Sequence, residues 1–272
     1  MTIEELIEPV QKEFLLFQEE YSHYTQSQTP LLQDVEAYLA HIPGKRIRPL
    51  LLLLTAKACG HLSHNHILLA TAMELLHNAT LMHDDVVDES DSRRGHDSIR
   101  HRWGNQVAVL CGDYYLSQVM AILHRVGNSE ISNLVAQTVA TMCKGELKQL
   151  SISSKVKTTI DTYIDIIGSK TASLMALCCE LGAMHMTQCS KESHLKAMHD
   201  FGYHYGLIFQ IRDDAFDSQN PHDIGFPDGF RPQIEIDKHS TLARQALETL
   251  PQTNVSKALG CLLLPTSPSP NK

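Results

Sequence analysis

The stretch LMHDDVVDES, Leu81 to Ser90, sets Asp84, Asp85 and Asp88 within five residues of a segment with helical periodicity. On a helix, residues four apart lie one above the other, so Asp84 and Asp88 share a face. Like charges at that spacing cost roughly 0.2–0.5 kcal/mol per pair even when hydrated, and more when partly buried. Upstream, Leu68, Ala72, Leu75, Leu76 and Ala79 follow the same period, as do Leu174, Leu177, Cys178 and Leu181 further on. Alternating strand patterns are scarce. The spacing predicts helices over 67–90, 103–125, 129–151, 158–183 and 191–217, with short Gly, Ser, Asn or Asp connections. Pro49 reads as a first-turn proline opening a helix on the LLLLL run, and Gly60 as its end. The expectation is an all-α, single-domain bundle over residues 1–264, followed by a disordered tail, 265–272, with three prolines in PTSPSPNK.

The aspartate pattern occurs twice. Asp213, Asp214 and Asp217, in FQIRDDAFDS, repeat it 129 residues after Asp84. Each copy extends backward as a polar stripe, through His77 and Thr80 in the first and through Gly206 and Gln210 in the second. A single copy is no more than a solvated acidic face in about half of cases. Two copies flanked by apolar residues point to hard divalent cations. Mg²⁺ takes one or two carboxylates and leaves its other positions to water and phosphate.

With 272 residues the chain can bury a core, and its net charge of −8 and pI near 6.0 argue against nucleic-acid binding. Seven cysteines, Cys59, Cys111, Cys143, Cys178, Cys179, Cys189 and Cys261, form no CxxC pair and read as reduced packing residues of a cytosolic protein. MTIEELIEPV is acidic where a signal peptide would be basic, and LLLLL is too short to cross a bilayer. Against the acidic background, two basic clusters stand out: Lys45, Arg46 and Arg48 in GKRIRP, and Arg93 and Arg94 in RRG. Guanidinium forks suit phosphate oxygens, so a polyanionic ligand beside the acidic motif is expected. Lys170 and Thr171 in GSKTASL read by themselves as a helix-start signal. HLSHNH, with His61, His64 and His66, reads as a solvated interhelical turn, and Cys178–Cys179 as buried thiols.

In order, GKxxRP, HDDxxDxxxxRRG, GDY, KT and FQxxDDxxD, running from Lys45 to Asp217, resemble the trans-isoprenyl (polyprenyl) diphosphate synthases. The resemblance implies an isoprenoid-synthase-type helical bundle, usually a homodimer, with the two DDxxD motifs facing each other across a central cavity. It implies that Asp84, Asp85, Asp88, Asp213, Asp214 and Asp217 hold Mg²⁺ on the diphosphate of an allylic substrate such as farnesyl diphosphate. Lys45, Arg48, His77 and Arg94 would bind isopentenyl diphosphate; Arg93, Lys170, Thr171 and Gln210 would contact the allylic diphosphate. The catalytic set it implies is Asp84, Asp85, Asp88, Lys170, Asp213 and Asp214. In that family, bulky aromatics four or five positions before the first aspartate stop chain growth. Thr80 and Ala79 stand there, so a medium- or long-chain product, a quinone side-chain precursor, is expected.

The pattern breaks after Asp217. Only 55 residues remain (272 − 217), and SQNPHDIGFPDGFRPQIEI lacks the lysine-bearing segments that usually follow. DKHSTLARQALETLPQTNVSKALGCLL then resembles the family's closing helices, as though an internal segment were missing. A weakly active or non-catalytic subunit of a heteromeric synthase is therefore an alternative. A class I terpene cyclase shares the ionisation chemistry but needs no second diphosphate site. An HD-type phosphohydrolase, suggested by His77 and His83-Asp84, leaves the second motif without a role. The expected setting is the cytoplasm, with at most peripheral membrane contact for product release.

Overall fold

A computed structural model describes residues 2–42, 44–93, 95–152, 158–185, 192–216, 225–251 and 253–264. Arg94, Asp217, Cys189 and the tail 265–272 lie outside the described residues. The chain is all-α apart from one antiparallel strand pair among the described residues, and it divides into two compact units.

The first unit takes in Met1–Leu53 and His64–Asn128. Helix α1 (Ile3–Ile7) opens on a capping box in which the Thr2 amide donates to Glu5 Oε2 at 2.8 Å and the Glu5 amide to Thr2 Oγ1 at 3.3 Å. Helices α2 (Gln11–Thr25), α3 (Pro30–Ala40) and α4 (Ile47–Ala58) follow, the last turns of α4 belonging to the second unit. The α4 helix begins two residues before Pro49, because the Leu50 amide already donates to Arg46 O at 3.2 Å and proline needs no such bond. Helix α5 (His64–Val87) is the axis of this unit. Residues Ile67 to Leu76 are buried on every side, the signature of a central helix. It packs against α2 and α7 (Asn105–Val126), with the hairpin β1 (Ser92–Arg93) and β2 (His96–Asp97) and helix α6 (Ile99–Trp103) between.

The second unit takes in Leu54–Ser63 and Ser129–Pro265. Helix α8 (Ser129–Ser151) precedes α9 (Ile160–Ile167) and α10 (Ser173–Ala183), which a π-helical turn, Gly168–Ala172, joins into one rod. Helix α11 (Glu192–Phe216) packs between α10 and α12 (Pro232–Leu247), and α13 (Asn254–Cys261) closes the fold. Gly206, expected on a polar stripe, is instead where α11 meets the π-turn: a Cβ there would stand 2.5 Å from Ala172 Cα. Gly202, one turn earlier, would stand 2.6 Å from Met175 O. The pair lets two backbones touch, which no larger residue permits.

Other expectations need correction. His66 sits in the first turn of α5 with no exposed surface, since it heads the stripe His66, Ala70, Met73; HLSHNH is therefore only in part a loop. Cys143 is exposed on α8, although Cys111, Cys178 and Cys179 are buried as expected. Lys170 and Thr171 lie inside a continuous helical rod and start no helix. Arg212 turns toward the end of the fold, donating to Leu263 O at 2.8 Å and Leu264 O at 3.2 Å, where a helix C-terminus favours a cation. Two stretches, Asn105–Val126 and Ile160–Ala183, are long and apolar enough to cross a membrane by composition. The second is 72% buried here, as core helices are.

Candidate active site

The first aspartate motif occupies the last turn of α5. The helix ends by a Schellman arrangement: the Ser90 amide donates to Asp85 O at 2.9 Å, the Glu89 amide reaches Val86 O at 3.4 Å, and Glu89 takes φ +49°. That left-handed position is normally glycine's, so Glu89 holds strain beside the motif. Asp84 and Asp88 are half-buried on one side of the turn. Asp85, a hundred degrees round, is 3% exposed and accepts from Arg93 Nε and Nη2, both at 2.7 Å from Oδ1. Burial pushes the Asp85 carboxyl up and the guanidinium pulls it back. Asp85 and Arg93 thus neutralise each other, joining the hairpin to the helix.

His83, beside Asp84, contacts Asp113 at 3.4 Å and sets the Nε2 edge of its ring against Gly112 of α7, where any Cβ would collide with it. This explains the Gly-Asp pair in the GDY motif: the glycine admits the imidazole and the aspartate faces it. Thr80 spends its hydroxyl on His77 O at 2.8 Å, and Ala79 has no exposed surface.

Of the basic cluster, Lys45 is exposed and Arg48 half-buried. Arg46 is structural. Its backbone takes φ +51°, its Nη1 lies 2.7 Å from Glu74 Oε1, and its guanidinium stacks 4.4 Å over the Tyr21 ring. Glu74 is 4% exposed at its side chain, so this ion pair bolts the GKRIRP turn to α5. A cavity of about 530 Å³ in this unit is lined by Lys45, Arg46, Asp85 and Arg93 toward its charged side and by residues such as Phe14 and Phe17 elsewhere. Arg48 and His77 do not line it. Arg94 lies outside the described residues.

Asp213 and Asp214 of the second motif lie on α11. Asp214 accepts from the Tyr163 hydroxyl at 2.5 Å on Oδ2 and from Gln210 Nε2 at 2.6 Å on Oδ1. Thr171 Oγ1 donates to Gln210 Oε1 at 2.8 Å, which fixes the orientation of the amide. Burial again pushes the Asp214 carboxyl up, opposed by these two hydrogen bonds. Lys170 lies 2.5 Å from Glu146 Oε2 and 2.9 Å from Gln149 Oε1, both on α8. The π-turn presents Lys170 and Thr171 together, and such turns recur at functional sites. So Lys170, Thr171, Gln210, Asp213 and Asp214 come together in this unit.

Sequence reasoning missed Tyr163, Glu146, Gln149 and Glu74. Tyr163 carried a faint signal, a hydroxyl in an apolar stripe seven residues before Lys170. Among the described residues no group of three His, Cys, Asp or Glu side chains can hold a metal ion unaided. Mg²⁺ asks little of a protein, because it takes one or two carboxylates and shares its other positions with phosphate and water.

The all-helical fold is shared with solved prenyl-chain synthases. A decaprenyl diphosphate synthase from Rhodobacter capsulatus superimposes with a TM-score of 0.86 at 26% identity, covering 96% of this chain and 97% of that one. A polyprenyl synthase from Caulobacter crescentus, solved with calcium and isoprenyl diphosphate, shares the fold at a TM-score of 0.87 and 24% identity, covering 96% of each chain. The polyprenyl synthetase family model matches residues 29–258, and the chain belongs to that family. Component 2 of the heptaprenyl diphosphate synthase of Bacillus subtilis (strain 168) is 32% identical over 215 residues, 79% of this chain and 61% of that protein. The geranyl-diphosphate-specific all-trans-nonaprenyl-diphosphate synthase of Rhodobacter capsulatus is 34% identical over 79% of this chain and 65% of its own length. The chain thus spans just under two thirds of the length of these relatives.

Proposed function

We propose that this protein is a Mg²⁺-dependent prenyltransferase that condenses isopentenyl diphosphate with an allylic diphosphate to give a medium- or long-chain all-trans polyprenyl diphosphate. The observation that carries the reading is the placement of the first aspartate motif at the C-terminal end of α5, with the same carboxylate pattern repeated from Asp213 and Asp214 on α11. That end already bears the negative pole of the helix dipole, so clustered carboxylates there are disfavoured until a cation arrives. Asp84 and Asp88 are the donors for a cation in the first unit; Asp213, with Asp217 by resemblance, serves the second motif in its own unit. Asp85 and Asp214, each held by neighbouring side chains, orient the turns rather than ligate.

Mg²⁺, when bound, supplies Lewis-acid stabilisation of the leaving diphosphate. The allylic C–O bond breaks with its electron pair going to the diphosphate oxygen. The double bond of isopentenyl diphosphate then attacks the allylic carbon, and loss of a proton to diphosphate restores the alkene. Lys45, Arg48 and His77 hold the isopentenyl diphosphate. Lys170, Thr171 and Gln210 hold the allylic one, Lys170 exchanging part of its contact with Glu146 for phosphate oxygen. An apolar lining would keep water from the allylic carbocation.

The exposed Val109, Leu110 and Met120 on α7, 38%, 66% and 69% accessible, favour burial against a partner, which we assign to a second copy in the cytoplasm. A heteromeric partner is the second reading, favoured by the likeness to a protein called component 2. Purified protein given Mg²⁺, isopentenyl diphosphate and farnesyl diphosphate is expected to form longer prenyl diphosphates on chromatography. Diphosphate release without elongation argues for a cyclase or hydrolase; no turnover at all argues for the subunit reading.

A further inference from the structure

The stretch in which this chain departs from its family's pattern, GFPDGF, does not leave a bare end beside the second aspartate motif. Phe226 and Phe230 stack on each other at 4.9 Å, and both meet the ring of Tyr163 edge-on, at 5.7 Å and 4.9 Å. Tyr163 is 1% exposed, and its hydroxyl donates to Asp214. Edge-to-face packing of this kind fixes ring orientation and contributes beyond simple burial. A charge-assisted hydrogen bond needs that orientation, because its strength falls steeply with angle.

We infer that Tyr163, clamped by Phe226 and Phe230, is a positioning residue that fixes this turn of α11 through Asp214 and so sets the place of Asp213. The inference rests on the reading of this motif as a cation site. The logic is geometric. Asp213 is next to Asp214 on α11, so whatever fixes Asp214 also fixes the backbone from which Asp213 projects. Asp214 is anchored on both oxygens, to α9 by Tyr163 and to the π-turn by Gln210 and Thr171. Removal of the Tyr163 hydroxyl leaves one anchor of two. Removal of either phenylalanine leaves the hydroxyl present but its direction unfixed. The aromatic pair thus takes part in holding the motif.

The test uses the full chain and two readouts. In thermal melts, Tyr163→Phe, Asp214→Ala and the double variant form a cycle. In calorimetry, inorganic pyrophosphate is titrated in the presence of Mg²⁺, which needs no turnover. Tyr163→Phe is expected to weaken Mg²⁺–pyrophosphate binding about tenfold, as loss of one hydrogen bond to a charged group does. It should add nothing further in the Asp214→Ala background. Phe230→Leu is expected to weaken binding in the same direction but less. Full additivity of Tyr163→Phe and Asp214→Ala overturns the inference, as does Tyr163→Phe binding at wild-type affinity. If wild type fails to bind while the melts still show coupling, the cation-site reading falls and the clamp stands.

Discussion

The Arg46–Glu74 pair offers the sharpest test of how the basic turn is built. Glu74→Gln keeps the shape and one hydrogen bond but removes the charge. With Glu74 4% and Arg46 23% exposed at their side chains, water can reach only the arginine, so its guanidinium is left largely uncompensated. Breaking one partner of such a buried pair costs about 3–5 kcal/mol. Partial exposure and the contact with Tyr21 at 4.4 Å place this case near the lower end. At roughly 2–4 °C per kcal/mol for chains of this size, the midpoint of a melt followed by circular dichroism at neutral pH should fall by about 6–12 °C. The double variant Arg46→Met with Glu74→Leu should recover most of the loss, since well-packed apolar pairs replace buried ion pairs at little net change. A Glu74→Gln melt within about 2 °C of wild type, or a double variant as unstable as the sum of the singles, would show that the pair is not what fastens the turn.

Glu89→Gly should stabilise the protein by about 1 kcal/mol in urea unfolding, because glycine carries no penalty at φ +49°; an unchanged midpoint would refute the strain. The imidazole of His239, 5% exposed and 3.0 Å from His204 Nδ1, is pushed down to about 4 by burial. Its folded value lies below its unfolded one, so stability is intact above about pH 6.5 and is lost as pH falls toward 4. His239→Phe should flatten that slope in melts across the window, and an unaltered slope would count against it. Ala79→Tyr should shorten the product seen by chromatography, and unchanged product length would remove Ala79 from the length-setting role.

Much of the fold was written in periodicity. The helices expected over 129–151 and 191–217 appear as Ser129–Ser151 and Glu192–Phe216, because long apolar stripes leave little freedom. The motifs were legible as residue types, since carboxylates four apart on a helix, twice over and flanked by apolar residues, have few uses. Partner choice was not. Nothing in a one-dimensional pattern says that Arg93 turns to Asp85, that Arg46 turns to Glu74, or that Glu146 and Gln149 meet Lys170. Those pairings depend on which helices cross, and the crossings rest on close contacts such as Gly206 on Ala172. The π-turn was invisible for the same reason: GSKTA has ordinary helical composition, and only the tertiary packing against α8 and α11 selects the wider turn.

That wider turn acts as a phase shift. A straight α-helix from Ile160 to Ala183 would turn 100° per residue throughout, so that Tyr163 and Lys170, seven apart, would point the same way. The Ser173 amide, bonded to Gly168 O, lets one extra residue into the circuit, and the face of α10 is rotated relative to that of α9. Tyr163 can then point at Asp214 while Lys170 points at Glu146. Deleting a single residue between Gly168 and Ala172 would restore the even winding, and in doing so would dial one of these two side chains away from its target.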